Sequence, residues 1–508
     1  MPSARLRPGL RGRPRSPLRL SALPLPALPG VGRPPAGAPG VGAADAMASS
    51  WPDAWVPVAS QDPVPVAFAP PAADDCRQAP TVREVPGRDP QDRTAPWPEV
   101  ARHGAAARRA GSPARREAER FASSPAVTMD AAPAPAAAPT IARPAPPVAR
   151  MPSPRPPDRR PVTAGVVDDN ADFGAYLAYR ARQPNGLLVR DRDVQERYAL
   201  VVTDAAGHPV HDAEVAVQRA GVPAPVAWAR TDTAGRAWLH PRAFLAGPAA
   251  DAAVLGVAVR KGDLQARAVL TRGQAQAVQV RLDGRAPLAR PRLDLVFLVD
   301  ATGSMDDEIA KLKDSMQAMA RQIAQLPGRP DICYGLVAYR DHGDAFVTRT
   351  HALTHRLDAF RQVLGEVEAG GGGDTPEALD EALGEAVHGL AWRRDAVRLV
   401  VLVADAPAHA DRHGGPRYDV DMQAALAKGI KLLPVGASGL DPSGEYVFRQ
   451  LAQYTAGRFV FLTYRDAADP GSGPGTATVH DVNAYSVDTL DRLVVRLVGD
   501  ELARLPKA

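Results

Sequence analysis

The sequence has almost no cysteine: Cys76 and Cys333 are the two such residues in 508. That count excludes a disulfide-stapled small scaffold and a cysteine-based zinc site. Cys76 sits in a proline-rich stretch and Cys333 in an apolar run with Ile332, Tyr334, Leu336 and Val337, so the two are not expected to pair. Aromatic residues are also scarce, at 5%. Any core must therefore be built mainly from Val, Leu, Ala and Ile. No stretch approaches the roughly eighteen uninterrupted apolar residues of a membrane-crossing helix. Acidic residues are missing altogether before Asp45, while Arg5, Arg7, Arg11, Arg13, Arg15, Arg19 and Arg33 fall in that stretch. Such an arm attracts polyanions without selectivity. It holds no aromatics to stack on bases, so it reads as a solvated tail and no specific nucleic acid is expected as a partner. The apolar stretch Leu20–Leu28 is broken by Pro24 and Pro26 and followed by Pro29, which argues against a secretory leader.

What is abundant is proline, with 52 residues crowding into the first third. Residues 1–162 are rich in Pro, Ala, Arg and Gly and show no sustained period, so they are expected to be disordered, with one short helix over Glu99–Phe121. Residues 163–193 change character. The acidic run Asp168–Asp172 precedes Phe173, Tyr176, Leu177 and Tyr179 at helical spacing, which predicts a short capped helix and a linker.

Alternation takes over in residues 194–285. Tyr198, Leu200 and Val202 share one strand face, and Val215 and Val217 another. Turn residues at Asp204–Gly207, Thr231–Gly235 and Arg260–Asp263 separate the strands, predicting a small all-β sandwich with Trp228 and Trp238 in its core or edge. The stretches Val202–Val217 and Thr231–Trp238 resemble bacterial immunoglobulin-like or carboxypeptidase-regulatory-like modules, a likeness that implies a fold and no chemistry.

Residues 290–508 alternate strands with helices. Leu293–Val299 is an almost continuous apolar run, as a central parallel strand buried on both faces requires. A helix over Glu308–Leu326 follows, with Ile309, Leu312, Met316, Met319 and Ile323 on one side. Strands are expected at 332–338, 399–404, 431–435 and 459–462. Helices are expected at 376–390, 420–428, 446–454 and near 487–502. The fold class is therefore α/β, a doubly wound, mostly parallel sheet, preceded by the all-β domain and the disordered N-terminal region.

Ligands in such sheets collect beyond the carboxyl ends of the strands. The first strand ends in Asp300-Ala-Thr-Gly-Ser304, which presents one carboxylate and two hydroxyls, with Gly303 free to take an unusual backbone angle. Two further loops, Gly370–Thr375 and the strand end at Asp405, are expected to converge there. The order Asp300-x-Thr302-x-Ser304, then Thr375, then Asp405 resembles the von Willebrand factor type A (VWA) family over about Leu293–Gly499. That resemblance implies a metal-ion-dependent adhesion site. Ser304, Thr302 and Thr375 would hold the ion, and Asp300 and Asp405 would act partly through water. Mg2+ suits this oxygen set, with Mn2+ or Ca2+ as alternatives.

Weaker candidates surround this set. Asp306 and Asp307 offer acids beside the loop, although acids at a helix start need no ion. His409 and His413 have a helical zinc spacing but no third placed ligand, so they read as a rim loop. Arg340 and Asp341 fall on the same rim, where they orient the loop, meet a partner or form an ordinary polar turn. The expected function is divalent-metal-dependent capture of an acidic group on a protein partner by a bacterial-type binding protein. It is not expected to be an enzyme, since neither a phosphate-binding Gly-rich Lys-Ser/Thr loop nor a Gly-x-Ser-x-Gly turn occurs. The alternatives are an intracellular VWA scaffold beside an ATPase and, behind it, a Mg-dependent hydrolase. The β-domain tilts the expected location toward the cell envelope or exterior.

Overall fold

The computed structural model describes residues 76, 80–87, 161–184, 186–222, 224–245, 250–286, 290–373, 375–412 and 415–506. The basic arm, the helix expected at 99–121 and His413 lie outside these residues. All described residues belong to one unit, 58–508.

The stretch expected to be disordered contributes a strand, β1 (Val82–Pro86), and the expected linker opens with another, β2 (Thr163–Val167). Both correct the expected boundaries, because both add to the sheet of the C-terminal domain. The helix α1 (Phe173–Arg182) follows as expected, its first turn capped by the Asp172 carboxylate accepting from the Ala175 amide at 3.0 Å.

Seven strands come next: β3 (Tyr198–Thr203), β4 (Glu214–Arg219), β5 (Pro225–Arg230), β6 (Arg236–Leu239), β7 (Val254–Lys261), β8 (Leu264–Thr271) and β9 (Val278–Arg281), with a one-turn helix α2 (Pro241–Phe244) after β6. They form a three-stranded sheet, β6-β3-β9, and a four-stranded sheet, β5-β4-β7-β8. Leu200, Val202, Val215, Val217, Val257 and Val259 from the two sheets meet in one core, so period-two alternation does set the buried faces. Trp228 lies on β5 and Trp238 on β6, both part-buried, and the Arg197 guanidinium covers the Trp238 ring at 4.2 Å.

The C-terminal domain runs β10 (Arg292–Asp300), α3 (Asp306–Ile323), β11 (Asp331–Tyr339), β12 (Phe346–Thr354), α4 (Leu357–Gly365), α5 (Leu379–Gly384), β13 (Ala396–Ala404), α6 (Tyr418–Lys428), β14 (Ile430–Gly436), α7 (Pro442–Tyr454), β15 (Phe459–Asp466), β16 (Asp469–Pro474), β17 (Ser486–Thr489) and α8 (Leu490–Ala503). The strand order is β1-β12-β11-β10-β13-β14-β15-β2-β17, with β16 paired to β15. The five middle strands are parallel, and antiparallel strands finish both sides. Alternate residues of β10 feed opposite cores: Val296 and Leu298 pack with Leu379, Met422 and Phe448, while Leu295 and Phe297 pack with Leu312, Met316 and Leu493. Helices therefore cover both faces, the doubly wound arrangement expected. In α3 the buried residues recur at helical spacing, and Asp306, Asp307 and Glu308 occupy the first turn where the helix dipole favours them.

Cys76 and Cys333 are joined in a disulfide, with Cα atoms 5.9 Å apart, against the sequence expectation. The physical reason is β1. Its ladder with β12 holds the N-terminal segment on the sheet edge, and the Cys76 carbonyl accepts from the His355 amide at 3.1 Å. The bridge closes a separation of 257 residues, a long loop for the unfolded chain to lose. Cys76→Ser is expected to cost about 2–5 kcal/mol. The check is chemical denaturation of the variant and of the wild type with and without reductant; an unchanged midpoint in all three would contradict the staple.

Candidate metal centre

Strands β10 and β13 are parallel neighbours, so they end on the same edge of the sheet. The chain after β10 is turned by the Ala301 amide donating to the Tyr339 carbonyl at 2.8 Å. Asp300 folds back on its own loop. Its Oδ1 accepts from the Thr302 amide at 3.0 Å and from the Thr302 hydroxyl at 2.7 Å. The Thr302 and Ser304 hydroxyl oxygens are 3.1 Å apart, and the Ser304 hydroxyl lies close enough to the Asp405 carboxylate, just past the end of β13, to favour its charged form. Four of the five residues expected from sequence thus surround one point.

The fifth, Thr375, is held between two anchors. On one side the Gly370 amide donates to the Ala301 carbonyl and the Gly303 amide to the Gly371 carbonyl, each at 3.0 Å. On the other side the Glu377 amide donates to the Pro407 carbonyl at 3.1 Å. Thr375 itself is exposed on the rim between them. Gly303 serves differently from the expectation. It lies in a short 3-10 turn outside the left-handed region, and what its missing side chain allows is close approach: a Cβ there would fall 2.7 Å from the Gly371 carbonyl oxygen. The unusual backbone angles belong to Gly371 and Gly372, with φ of 74° and 66°.

Sequence reasoning missed two contributors. Asp344 accepts from the Gly372 amide at 2.8 Å and from the Asp341 amide at 3.0 Å, clamping the glycine run. Glu377, expected inside a helix over 376–390, precedes α5, which begins at Leu379. A Cβ placed on Gly372 would sit 3.1 Å from Glu377 Oε1 and 3.2 Å from Thr302 Cβ, so the glutamate lies close to the Asp300–Ser304 loop. The local signal for either residue was no more than an acid beside a glycine-rich loop.

The electrostatics of this point are those of crowded, buried carboxyls. Asp300 Oδ2, Asp405 Oδ1 and Glu377 Oε2 are buried with no hydrogen-bond partner among the described residues. Burial, then the charge of Asp405, pushes the Asp300 carboxyl up to about 7. Glu377 is pushed up to about 9 by burial and then by Asp300, Asp341, Asp344 and Asp405. Burial raises Asp405 as well. Carboxyls crowded in a low-dielectric site resist ionising unless a cation joins them. Two hydroxyls and two carboxylates are oxygen donors suited to a hard dication, so the residues fit such an ion.

The remaining candidates divide. Arg340 orients the loop: its Nε donates to the Ala301 carbonyl at 3.0 Å and its Nη2 to the Glu368 carbonyl at 2.9 Å. Asp341 pairs with His409 Nε2 at 2.8 Å. Asp306 and Asp307 stay exposed in the first turn of α3.

The family model of the von Willebrand factor type A domain matches residues 294–467. Among similar proteins, the alpha-protein kinase vwkA of Dictyostelium discoideum is 30% identical over 137 residues, covering 27% of this chain and 22% of the kinase. Integrin beta-6 of Mus musculus is 23% identical over 216 residues, covering 37% of this chain and 25% of the integrin. A solved von Willebrand factor type A structure from Catenulispora acidiphila is 14% identical with a TM-score of 0.25, covering 50% of this chain and 46% of that one. The chain spans about a quarter or less of the length of these curated relatives. The matched segment contains four of the strand ends and loops just described, from β10 to the Asp405 loop. Residues 294–467 of this chain are a von Willebrand factor type A domain.

Proposed function

We propose that this VWA domain, a protein-interaction module, captures an acidic group of a protein partner through a divalent cation. Thr302, Ser304 and Thr375 would hold the ion with their hydroxyls, and Asp300 and Asp405 would act partly through bound water. The observation that carries this reading is the pair of buried, unpartnered carboxylate oxygens on Asp300 and Asp405, set beside the two hydroxyls at the strand ends. An ion held largely by neutral hydroxyls stays under-neutralised, and a partner carboxylate relieves that. Mg2+ is the ion this donor set suits best. The chain residues hold and orient; the reading assigns them no turnover. Integrin beta-6 is among the relatives this reading follows.

The β3–β9 domain is proposed as an immunoglobulin-like spacer, on the strength of its two sheets and common core. The Cys76–Cys333 bridge supports placing the protein in an oxidising compartment, at the envelope or outside the cell, since such bonds are rare in reducing cytosol. This weighs against the intracellular scaffold reading.

The test is affinity capture of partners by the full chain with Mg2+ and with excess chelator, in wild type and Asp300→Ala. Chelator and substitution are each expected to weaken retention of the same partner by at least about tenfold, or 1.4 kcal/mol. Retention indifferent to both would remove the metal from the interaction.

A further inference from the structure

A second group of metal-binding side chains lies on the same rim. Asp341 and His342 follow β11, and His409 follows β13; each offers one ligand atom, and these atoms lie within 4.8 Å of one another. The three are part-buried, with side-chain exposures of 14–16%. We propose that Asp341, His342 and His409 form a zinc-type site, separate from the hydroxyl-lined cation site and different in chemistry.

The donor set is the first argument. Two imidazoles and one carboxylate match a borderline-soft dication such as Zn2+, whereas Mg2+ prefers oxygen alone. Zn2+ bonds to nitrogen and oxygen at about 2.0–2.2 Å, which sets tetrahedral ligands about 3.4 Å apart. The His409 Nε2 to Asp341 Oδ1 distance is already 2.8 Å, and the two imidazole ring centres are 5.6 Å apart. Small side-chain rotations about these positions bring all three atoms to one ion. Three protein ligands leave a fourth position for water or an incoming group.

Preorganisation is the second argument. The Glu381 carboxylate lies 3.2 Å from His342 Nε2, within ion-pair range, and a carboxylate in that place can orient an imidazole whose other nitrogen binds metal. The Asp341 backbone is fixed by the Asp344 carboxylate, and the preceding Arg340 is bonded to two carbonyls. The His409 carbonyl accepts from Arg190 at 2.8 Å, so its loop is held from outside as well. An ordinary His–Asp pair explains one of these contacts and leaves the second imidazole and its carboxylate unexplained. Occupied, the site would cross-link the loops after β11 and β13, which also flank the hydroxyl site.

The experiment uses the untagged full chain, stripped of metal and titrated with Co2+ as a spectroscopic stand-in for Zn2+, then with Zn2+ in competition. One equivalent of Co2+ is expected to give an intense visible band that Zn2+ abolishes. His342→Ala and His409→Ala should each weaken binding by about 100-fold or more, because even residues behind the ligands cost 10–100-fold. Glu381→Gln should weaken it by about tenfold, and Asp300→Ala should leave the band in place. Far-ultraviolet circular dichroism checks that each variant is folded. No band, a band that survives both histidine substitutions, or a band lost in Asp300→Ala would each overturn the site.

Discussion

Asp212→Asn is expected to lower the thermal midpoint of the full chain by about 10 °C. Asp212 sits in the turn before β4 of the β-domain, where it meets the VWA domain. Its two oxygens accept from Arg398 Nη1 and Nη2 at 2.9 and 3.0 Å, and Oδ1 also accepts from Arg230 Nη1 at 3.0 Å. Arg398 comes from β13 and is 1% exposed, and Asp212 is 2% exposed. Removing one partner leaves a guanidinium uncompensated in the interior, which costs about 3–5 kcal/mol, at about 2–4 °C per kcal/mol for a protein of a few hundred residues. Asparagine is chosen because Asp212 has φ of 56°, a conformation asparagine tolerates. Adding Arg398→Met to Asp212→Asn should regain part of the loss, because it removes the buried guanidinium left without its counter-charge and keeps a residue that fits the backbone at position 212.

The same contact gives a pH dependence of definite sign. The Arg398 and Arg230 guanidiniums hold the Asp212 carboxyl well below the usual range, against the cost of burial. Its folded value lies below its unfolded value of about 3.9. The stability it contributes is therefore complete above that value and is lost as pH falls through the folded one. Acid titration of the midpoint should show a steeper fall below about pH 4 in wild type than in Asp212→Asn. Parallel curves would show that the pair contributes little.

Asp300→Asn is expected to act in opposite directions with and without metal. In chelator the variant should melt at or above the wild-type midpoint, because a buried carboxyl beside Asp405 and Glu377 is replaced by a neutral group. In Mg2+ at about 100 times its dissociation constant, wild type should gain about 2.7 kcal/mol and the variant nothing. A crossover of the two stabilities between chelator and Mg2+ is the signature. A variant less stable in both conditions would mean that Asp300 serves packing and not an ion.

Much of this fold was legible because its strongest elements carry local patterns. β10 and β13 carry long apolar runs, Leu295–Val299 and Leu399–Ala404, because both faces are covered, and α3 shows its buried stripe every three or four residues. Other elements left no such trace. β1 and β2 are short strands held by backbone ladders, with Pro86 and Gly165 among their residues, so side-chain periodicity hardly marks them. β12, with its Thr348, Thr350, His351 and Thr354, buries polar residues on a strand near the sheet edge and was not anticipated. The disulfide depends on β1 and was hidden with it. At the candidate site, Asp300, Thr302, Ser304 and Asp405 were readable because their loops follow directly from apolar strands. Glu377, Asp344 and the pairing of Asp341 with His409 depend on which loops meet, and sequence spacing does not encode that.

The most direct test is calorimetric titration of Mg2+ into the chelator-stripped chain, in wild type, Ser304→Ala and Thr375→Val. Thr375 is the informative position, since it is exposed on the rim and its valine variant keeps the shape while losing the hydroxyl. The expected result is one equivalent of Mg2+ bound by wild type, with affinity reduced in both variants. Undiminished binding in both, or none in wild type, would contradict a cation held by hydroxyls at the strand ends.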